Sequence, residues 1–239
     1  RGKKLVTTLI NASGNTNIRL EVADLSLMKD VDKLVKRLLK QDRPIDVLIN
    51  NAGALFNDRE TTSEDLERSF ALLLLSPYRL TEGLLPLLKQ ANTARVINVV
   101  SGGMYTQKLR VDDLQNEQGK YAGPVAYARC KRALMIKTEQ WAQEWAEHGI
   151  TVNAMHPGWA DTPGVESSLP VFYTLTRPLL RTPDEGADTM TWMATATEAG
   201  SQSGLLLLDR LPRRTHLTGS TRETEADRIA LQRELRAML

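Results

Sequence analysis

Short, nearly continuous apolar runs alternate along this chain with segments whose apolar residues recur every three to four positions. Continuous runs predict buried strands, and the three-to-four spacing predicts amphipathic helices. Strands are predicted at 18–22, 47–49, 96–100, 151–155 and 204–208. Helices are predicted after Ser26, over 64–89 with interruptions near Pro77 and Pro86, over 125–147, and over 222–239.

Strands that are apolar on both faces and alternate with amphipathic helices are typical of a parallel sheet with helices on both sides. We therefore predict a single α/β domain spanning residues 1–239. In such sheets the ligand lies beyond the carboxyl ends of the strands. Polar and small residues follow the predicted ends at Asp24, at 51–53, at Ser101 and over 156–162. We expect the functional site at these positions.

Local signals refine the helix ends and one loop. Ser26 is expected to cap the helix after it, because its hydroxyl oxygen can accept from the free N–H groups of a first helical turn. Ser220 and Glu223 have the spacing of a capping box before the C-terminal helix. Residues 160–185 are rich in proline and turn residues, and we interpret them as a lid over the site.

Composition narrows the class of protein. Hydrophobic residues make up 41% and charged residues 25%, as in ordinary globular proteins, and the net charge of +2 favours neither nucleic acid nor an anionic membrane surface. Cys130 is the only cysteine and the three histidines are far apart, so neither an intramolecular disulfide nor a zinc site is expected. No apolar run approaches the ~20 residues of a membrane span, and we expect no secretory signal from the first residues. We expect an intracellular, cytoplasmic protein, and the first residue, Arg1, suggests a fragment or processed product.

One tyrosine has a spacing suited to proton transfer. Of the five tyrosines, only Tyr127 is followed four residues later by a lysine, Lys131. Positions i and i+4 share one face of a helix, so the phenol and the ammonium would point into the same space. A phenol with a pKa of about 10 is a poor acid or base at neutral pH, and a close ammonium lowers that pKa. Taken alone, this spacing more often means a packed ring beside a solvated charge.

The order of several motifs gives that pair its context. The residues Asn-Asn-Ala-Gly at 50–53 follow one predicted strand, Ser101 follows another, and Pro157-Gly158 with Thr162 follow a third. With Tyr127 and Lys131 in this order, they resemble the short-chain dehydrogenase/reductase family over nearly the whole chain. The resemblance implies a Rossmann-like, doubly wound parallel sheet. Finer matches to the branch called dehydrogenase/reductase member twelve lie at 13–15, 24–26, 101–104, 107–109, 113–115, 156–165, 186–190 and 215–217.

The resemblance implies a role for each matched position. Tyr127 would exchange a proton with the substrate oxygen, Ser101 would donate to that oxygen, and Lys131 would lower the pKa of Tyr127 and hold the nicotinamide ribose. NAD or NADP would supply the hydride, and the substrate would be a lipophilic alcohol or carbonyl. The implied cofactor-binding positions are Asp24 at the adenine, Asn51, Ala52 and Gly53 at the adenosine ribose, and Pro157, Gly158 and Thr162 at the nicotinamide amide.

Two departures from the family pattern matter. The family opens with a strand, a turn of the type Thr-Gly-x-x-x-Gly-x-Gly and a helix, whose N–H groups meet the cofactor pyrophosphate. No such segment occurs here. We expect the first two strands and the glycine-rich loop to be missing, and NAD or NADP binding to be weak. In addition, Leu73 stands where the family carries an asparagine that holds a water beside the lysine, which implies slower proton transfer.

Several functions stay open at this point. The chain is either an active nicotinamide-dependent oxidoreductase or a non-catalytic relative, such as a shortened isoform, that acts through binding. Members of the family often pair through their long helices, so a homo-oligomer is one expected assembly. A serine hydrolase is a distant third, because Ser101 lacks the Gly-x-Ser-x-Gly turn that exposes a nucleophile. Plainer structural interpretations also exist for single residues: a strand end at Ser101, a helix start at Asp24, turn glycines at Gly53 and Gly158, and structural roles for Cys130 and His156.

Overall fold

A five-stranded sheet with helices on both faces forms the centre of the molecule. The computed structural model describes residues 2–160 and 180–239. Within them the strands follow one another in chain order: β1 (Val47–Asn50), β2 (Arg95–Val99), β3 (Thr151–Met155), β4 (Leu206–Leu208) and β5 (Leu211–Arg213). The first four are parallel, and β5 pairs antiparallel with β4. The predicted α/β class and parallel sheet are confirmed, whereas the short antiparallel hairpin was not predicted.

Helices occur in all four regions where the periodicity predicted them, whereas the helices over Gly2–Ser13 and Pro183–Thr195 were not predicted from the periodicity. A 3₁₀ helix over Gly102–Thr106 follows β2 directly. No helix of the described residues is long and apolar enough to cross a membrane. The main helical segments are α1 (Gly2–Ser13), α2 (Met28–Gln41), α3 (Arg68–Phe70), a π-helical stretch (Ala71–Leu75), α4 (Ser76–Gly83), α5 (Leu85–Leu88), α6 (Gly123–Glu144), α7 (Pro183–Thr195) and α8 (Glu225–Arg236).

The sheet has an apolar cluster on each face, which explains why its strands lack a polar side. Alternate strand residues point to opposite faces. Val96, Val152 and Leu206 belong to the large core that also contains residues of α2, α4, α6 and α8. Their neighbours Ile97, Met155 and Leu207 pack on the other face with Met193 of α7.

The helix predicted over 64–89 is interrupted at both prolines, in two different ways. Before Pro77 the chain forms the π-helical stretch, in which the Ser76 N–H donates to the Ala71 carbonyl. Pro77 has no N–H to continue the helical ladder, and π segments of this kind are frequent at functional sites. Near Pro86 the break falls at Leu84, where α4 ends and α5 begins.

The strand predicted at 18–22 is wrong. These residues form neither a helix nor a ladder, and β1, the edge of the sheet, pairs only with β2. Arg37 of α2 holds the segment through Glu21 Oε2, at 3.0 Å, and the Val22 carbonyl, at 3.2 Å. An apolar run favours a strand locally, but a strand needs a neighbour to pair with. The expected absence of two strands and a glycine-rich loop stays a prediction.

Two predicted helix caps are also wrong. The Ser26 hydroxyl donates to Asp24 instead of capping α2, and Glu64, distant in sequence, accepts from the first N–H groups of that helix. The C-terminal helix begins with a capping box of Thr224 and Asp227, four residues after the predicted Ser220. Several nearby Ser and Thr side chains can form local hydrogen bonds to the backbone. The path of the chain decides which of them caps the helix.

Candidate active site

Ser101, Tyr127 and Lys131 lie together at the carboxyl end of β2. The Ser101 hydroxyl lies within hydrogen-bonding reach of the Tyr127 hydroxyl. Lys131, one turn further along α6, has its Nζ 5.7 Å from the centre of the Tyr127 ring. The same Nζ donates to the carbonyl oxygen of Val99, at 2.7 Å. The three residues predicted to be catalytic therefore lie close together beyond the end of β2, and their catalytic role stays a prediction.

Lys131 is not among the groups that shift the pKa of Tyr127 in this arrangement, and its predicted effect on Tyr127 stays a prediction. Burial raises the pKa of Tyr127, and its hydrogen bond with Ser101 only partly opposes that shift. Burial also lowers the pKa of Lys131 to about 8. Both charged forms are disfavoured by the same apolar surroundings, and the Lys131 ammonium is directed to a backbone carbonyl. Tyr127 is thus a protonated phenol at neutral pH.

Leu73 and Gly53 border Lys131 from the other side. A Cβ added to Gly53 would lie 3.1 Å from Leu73 Cδ2 and 3.9 Å from Lys131 Nζ. Leu73 is fully buried within the π-helical stretch. The position that the family resemblance assigns to a polar relay therefore holds an isobutyl group beside the ammonium. Gly53 has no room for a side chain without movement of Leu73.

Of the residues predicted at the adenosine ribose, Asn51 and Ala52 line a shallow cleft beyond β1, and Gly53 does not. Asp24 is adjacent to this cleft through Leu25, and its carboxylate accepts from the N–H and hydroxyl of Ser26, at 2.9 and 2.7 Å. These two hydrogen bonds hold the pKa of Asp24 below its usual value. The cleft is lined by Leu25, Ile49, Asn50, Asn51, Ala52, Leu72, Ser76, Pro77 and Leu80.

The residues predicted at the nicotinamide amide follow β3. Gly158 has φ +73°, and a Cβ there would lie 2.8 Å from Arg181 Nε, so glycine is required on both counts. The Gly158 N–H donates to His156 Nδ1 at 3.3 Å, which assigns the ring proton to Nε2. Pro157 is half-buried beside it. Thr162 and most of the predicted lid lie outside the described residues.

A buried polar network beneath the cleft was not singled out from the sequence. Asn50 and Asn98 are register partners on β1 and β2. The Asn50 amide donates to Asn98, at 2.8 Å, and to Thr81, at 2.9 Å, while the Asn98 amide donates to Thr138, at 2.9 Å. Two asparagines inside apolar strands were the available signal, since buried polar groups are almost always paired. The network joins the sheet to both α4 and α6 just below the catalytic cluster.

Cys130 is structural in this arrangement. It is fully buried between Arg129 and Lys131 in the chain, and burial raises the pKa of its thiol. A buried neutral thiol behaves as a small hydrophobic side chain. Among residues 2–160 and 180–239, no group of three or more His, Cys, Asp or Glu side chains could hold a metal ion.

The family model described as short chain dehydrogenase matches residues 1–170. The chain belongs to this family of oxidoreductases. Within it, the chain resembles the branch of dehydrogenase/reductase SDR family member 12. The human protein of that name is 44% identical over 225 residues, which cover 92% of this chain and 70% of the relative.

Other relatives in the family are more distant. Human polyprenol dehydrogenase is 31% identical, with 85% of this chain and 64% of the relative covered. Human retinol dehydrogenase 13 is 29% identical, with 80% and 60% covered.

Solved structures agree on the fold. A protein of Mycobacterium paratuberculosis superposes with a TM-score of 0.73 at 20% identity, covering 99% of this chain and 81% of that one. The Pseudomonas aeruginosa RhlG/NADP active-site complex superposes with a TM-score of 0.66 at 22% identity, covering 92% and 82%.

Proposed function

We propose that this chain transfers hydride between a nicotinamide cofactor and a lipophilic alcohol or carbonyl compound. The observation that carries the proposal is the cluster of Ser101, Tyr127 and Lys131 at the carboxyl end of β2. Its relatives named as retinol and polyprenol dehydrogenases support the choice of a lipophilic alcohol or its carbonyl product. The solved relative in complex with NADP supports the class of cofactor.

The cluster suits protonation of a carbonyl better than deprotonation of an alcohol. Ser101 and Tyr127 bring two hydroxyl groups together, and a substrate oxygen between them could accept from both. Burial raises the pKa of Tyr127, so the phenol keeps its proton at neutral pH but is a weaker acid than a free tyrosine. We therefore infer that carbonyl reduction is favoured at neutral pH, with alcohol oxidation requiring a higher pH.

The residues present fit part of a nicotinamide cofactor. Asn51 and Ala52 line the cleft beyond β1 together with Leu25, the chain neighbour of Asp24. Gly53 and Gly158 are positions where close neighbours leave no room for a side chain. Lys131 would hold the ribose and Gly158 the amide, and the cofactor would supply the hydride. The sequence contains no segment of the type Thr-Gly-x-x-x-Gly-x-Gly for the pyrophosphate. We therefore propose that this chain by itself binds NAD or NADP weakly.

A second candidate is a non-catalytic relative that acts through binding. Leu73 beside Lys131 favours it, because the side chain offers no polar group to carry a proton away. The raised pKa of Tyr127 also favours the second candidate, because a reaction that needs the phenolate would find little of it at neutral pH. In this second case the cleft would be kept for a ligand rather than for turnover.

The two candidates are separated by binding and turnover measured on the same samples. NADPH and NADH binding would be followed by calorimetry, and turnover by loss of cofactor absorbance with retinal and with a long-chain aldehyde. Tyr127→Phe should lower turnover by roughly 10²–10⁴-fold with little change in cofactor affinity. Tyr78→Phe is the matched control, because the Tyr78 hydroxyl is buried without a hydrogen-bond partner.

The results of the binding and turnover measurements distinguish the two candidate functions. Millimolar cofactor binding with turnover that Tyr127→Phe abolishes supports the oxidoreductase proposal. Micromolar binding by this chain would refute the proposed weak affinity. Binding without turnover supports the second candidate, and equal turnover in the wild type and Tyr127→Phe would remove Tyr127 from the reaction.

A further inference from the structure

The segment after Ser101 is tied to helix α6 by a buried arginine. We call residues 102–107 the serine loop. Arg132, five residues after Tyr127 on α6, is fully buried. Its guanidinium donates to two carbonyls of the serine loop, Met104 at 3.0 Å and Gln107 at 3.4 Å. The remaining branch donates to the Thr215 carbonyl, at 2.8 Å.

A second side chain makes the same connection from the loop side. We call residues 213–216 the rim segment, which follows β5. The Tyr105 hydroxyl in the serine loop donates to the Arg214 carbonyl, at 2.7 Å. The Tyr105 ring also meets the ring of His156 edge-on, with centroids 6.4 Å apart. The serine loop is thus held between α6, the end of β3 and the rim segment.

These contacts act on Ser101 through a short path. The Met104 N–H donates to the Ser101 carbonyl, at 3.0 Å, and the Gly103 N–H donates to the Ser101 hydroxyl, at 3.2 Å. Arg132 fixes the carbonyl of the same Met104. Any shift of the serine loop away from α6 therefore moves the Ser101 hydroxyl relative to Tyr127, which α6 itself carries.

Burying a guanidinium group to join two segments costs free energy, because the charge loses its hydration. Burial lowers the pKa of Arg132, opposed by the more distant charges of Glu223 and Glu139. Apolar replacements of buried charges are often neutral or stabilising, whereas the fixed fork of arginine can bind several carbonyls in a defined geometry. This contrast argues that geometry, rather than stability alone, is what Arg132 supplies.

We propose that Arg132 and Tyr105 are positioning residues that keep the Ser101 hydroxyl in hydrogen-bonding register with Tyr127. They do so by holding the serine loop and the rim segment against α6. The inference rests on the proposed function only in taking Ser101 and Tyr127 as its reacting pair. The relation between the two hydroxyls can be measured without cofactor or turnover, so it can fail separately from the proposed function.

The test uses the full chain labelled with ¹³C at the tyrosine ζ carbon, whose chemical shift reports hydrogen bonding of the hydroxyl. Spectra are recorded at neutral pH, and Tyr127→Phe assigns the Tyr127 resonance among the five tyrosines. Ser101→Ala gives the resonance position without the Ser101 hydroxyl. Tyr105→Phe and Arg132→Lys are the test variants. Tyr78→Phe and the exposed Arg233→Lys are matched controls.

The expected result is that both test variants move the Tyr127 resonance at least halfway to its position in Ser101→Ala, while the controls leave it in place. Tyr105→Phe removes only one hydroxyl, so it keeps the test open if Arg132→Lys fails to fold. An unmoved resonance in Tyr105→Phe, or in a folded Arg132→Lys, overturns the assignment of that residue. If Ser101→Ala leaves the Tyr127 resonance in place, the whole proposal is overturned. If turnover is found, the test variants should lower kcat more than they raise KM.

Discussion

Two lysines of α6 show how burial acts on single residues in this fold. Lys131 faces the candidate active site, and Lys137 lies nearly two turns later, away from it. Lys137 Nζ is 4.8 Å from the Trp141 ring and 5.4 Å from the Tyr78 ring, and it donates to Gln232 of α8. Burial lowers the pKa of each lysine to about 8. The aromatic faces attract the ammonium but do not replace its lost hydration.

Lys137→Met should stabilise the protein at neutral pH and flatten its pH dependence. The folded pKa of about 8 lies below the unfolded value of about 10.4, so between these limits the unfolded chain binds more protons. The free energy of unfolding of the wild type therefore rises with pH across that window, while below it the full penalty of the buried charge remains. We expect a gain of about 1–4 kcal/mol at neutral pH, measured by urea denaturation.

The control for this prediction is Lys29→Met, because Lys29 is exposed. It should leave both the stability and its pH dependence unchanged. A Lys137→Met protein whose stability still rises with pH as steeply as that of the wild type would contradict the assignment, although the share from Lys131 should persist.

Leu73→Asn should raise the pKa of Lys131 from about 8. An amide oxygen near Lys131 Nζ would favour the charged ammonium, and both Leu73 Cδ2 and that Nζ lie close to Gly53. In a form of the protein that binds cofactor, we expect kcat to rise more than affinity changes. The pKa is measured by NMR titration of the lysine ε carbon, with Leu73→Ala as the control for lost bulk. Equal Lys131 pKa values and equal kcat in Leu73→Asn and wild type would show that no relay passes here.

At the scale of elements, the ends of helices depend on residues far away in the chain. Glu64 Oε2 and Oε1 accept from the N–H groups of Met28 and Lys29, at 2.6 and 3.0 Å. The periodicity of Val31 and Val35 predicted the helix itself, but no local signal predicted that a residue some thirty-six positions later would cap it. A carboxylate at a helix N-terminus satisfies orphan N–H groups and the helix dipole together.

Glu64→Ala should therefore lower the free energy of unfolding by about 1–2 kcal/mol. Ser26→Ala, which removes the cap that local sequence favours, should change it by less than about 0.5 kcal/mol. Both values come from urea denaturation of the full chain. The prediction fails if Ser26→Ala proves the more destabilising of the two.

At the scale of the whole molecule, burial is unevenly distributed. The middle of α6, residues 130–138, is buried on every side, partly because α8 covers it through contacts such as Arg228 with Glu139. α1 at the other extreme has no buried residue. Pairing of two chains through the long helices stays a prediction, and it would have to use surface outside residues 130–138.

Residues 2–22 should show the fastest amide hydrogen exchange among the described elements. An isolated helix the length of α1 is marginal in water, and residues 18–22 lack a ladder. Leu20 and Val22 are exposed by 42% and 75%. Peptides covering β3, inside the sheet, serve as the slow reference. Protection of 18–22 equal to that of β3, in a sample shown to be monomeric, would contradict the prediction.

The sequence alone determined most of the elements and singled out Ser101, Tyr127 and Lys131 as the predicted catalytic residues. Apolar periodicity is set by local backbone geometry, so it predicted α6, β2 and β3 nearly to their ends. The four-residue spacing of Tyr127 and Lys131 placed both on one helical face. The turn residues after the strands predicted where Ser101 and Gly158 would lie, because parallel strands end at a common edge.

Only the tertiary structure decided how those residues are tuned and held. The strand predicted at 18–22 failed because pairing needs a neighbour, which a local pattern does not specify. The raised pKa of Tyr127 and the lowered pKa of Lys131 follow from burial in the folded chain. Arg132 finds its three carbonyls on two segments separated by more than a hundred residues. Desolvation and long-range hydrogen bonds depend on which surfaces the chain brings together, and that information exists only once it has folded.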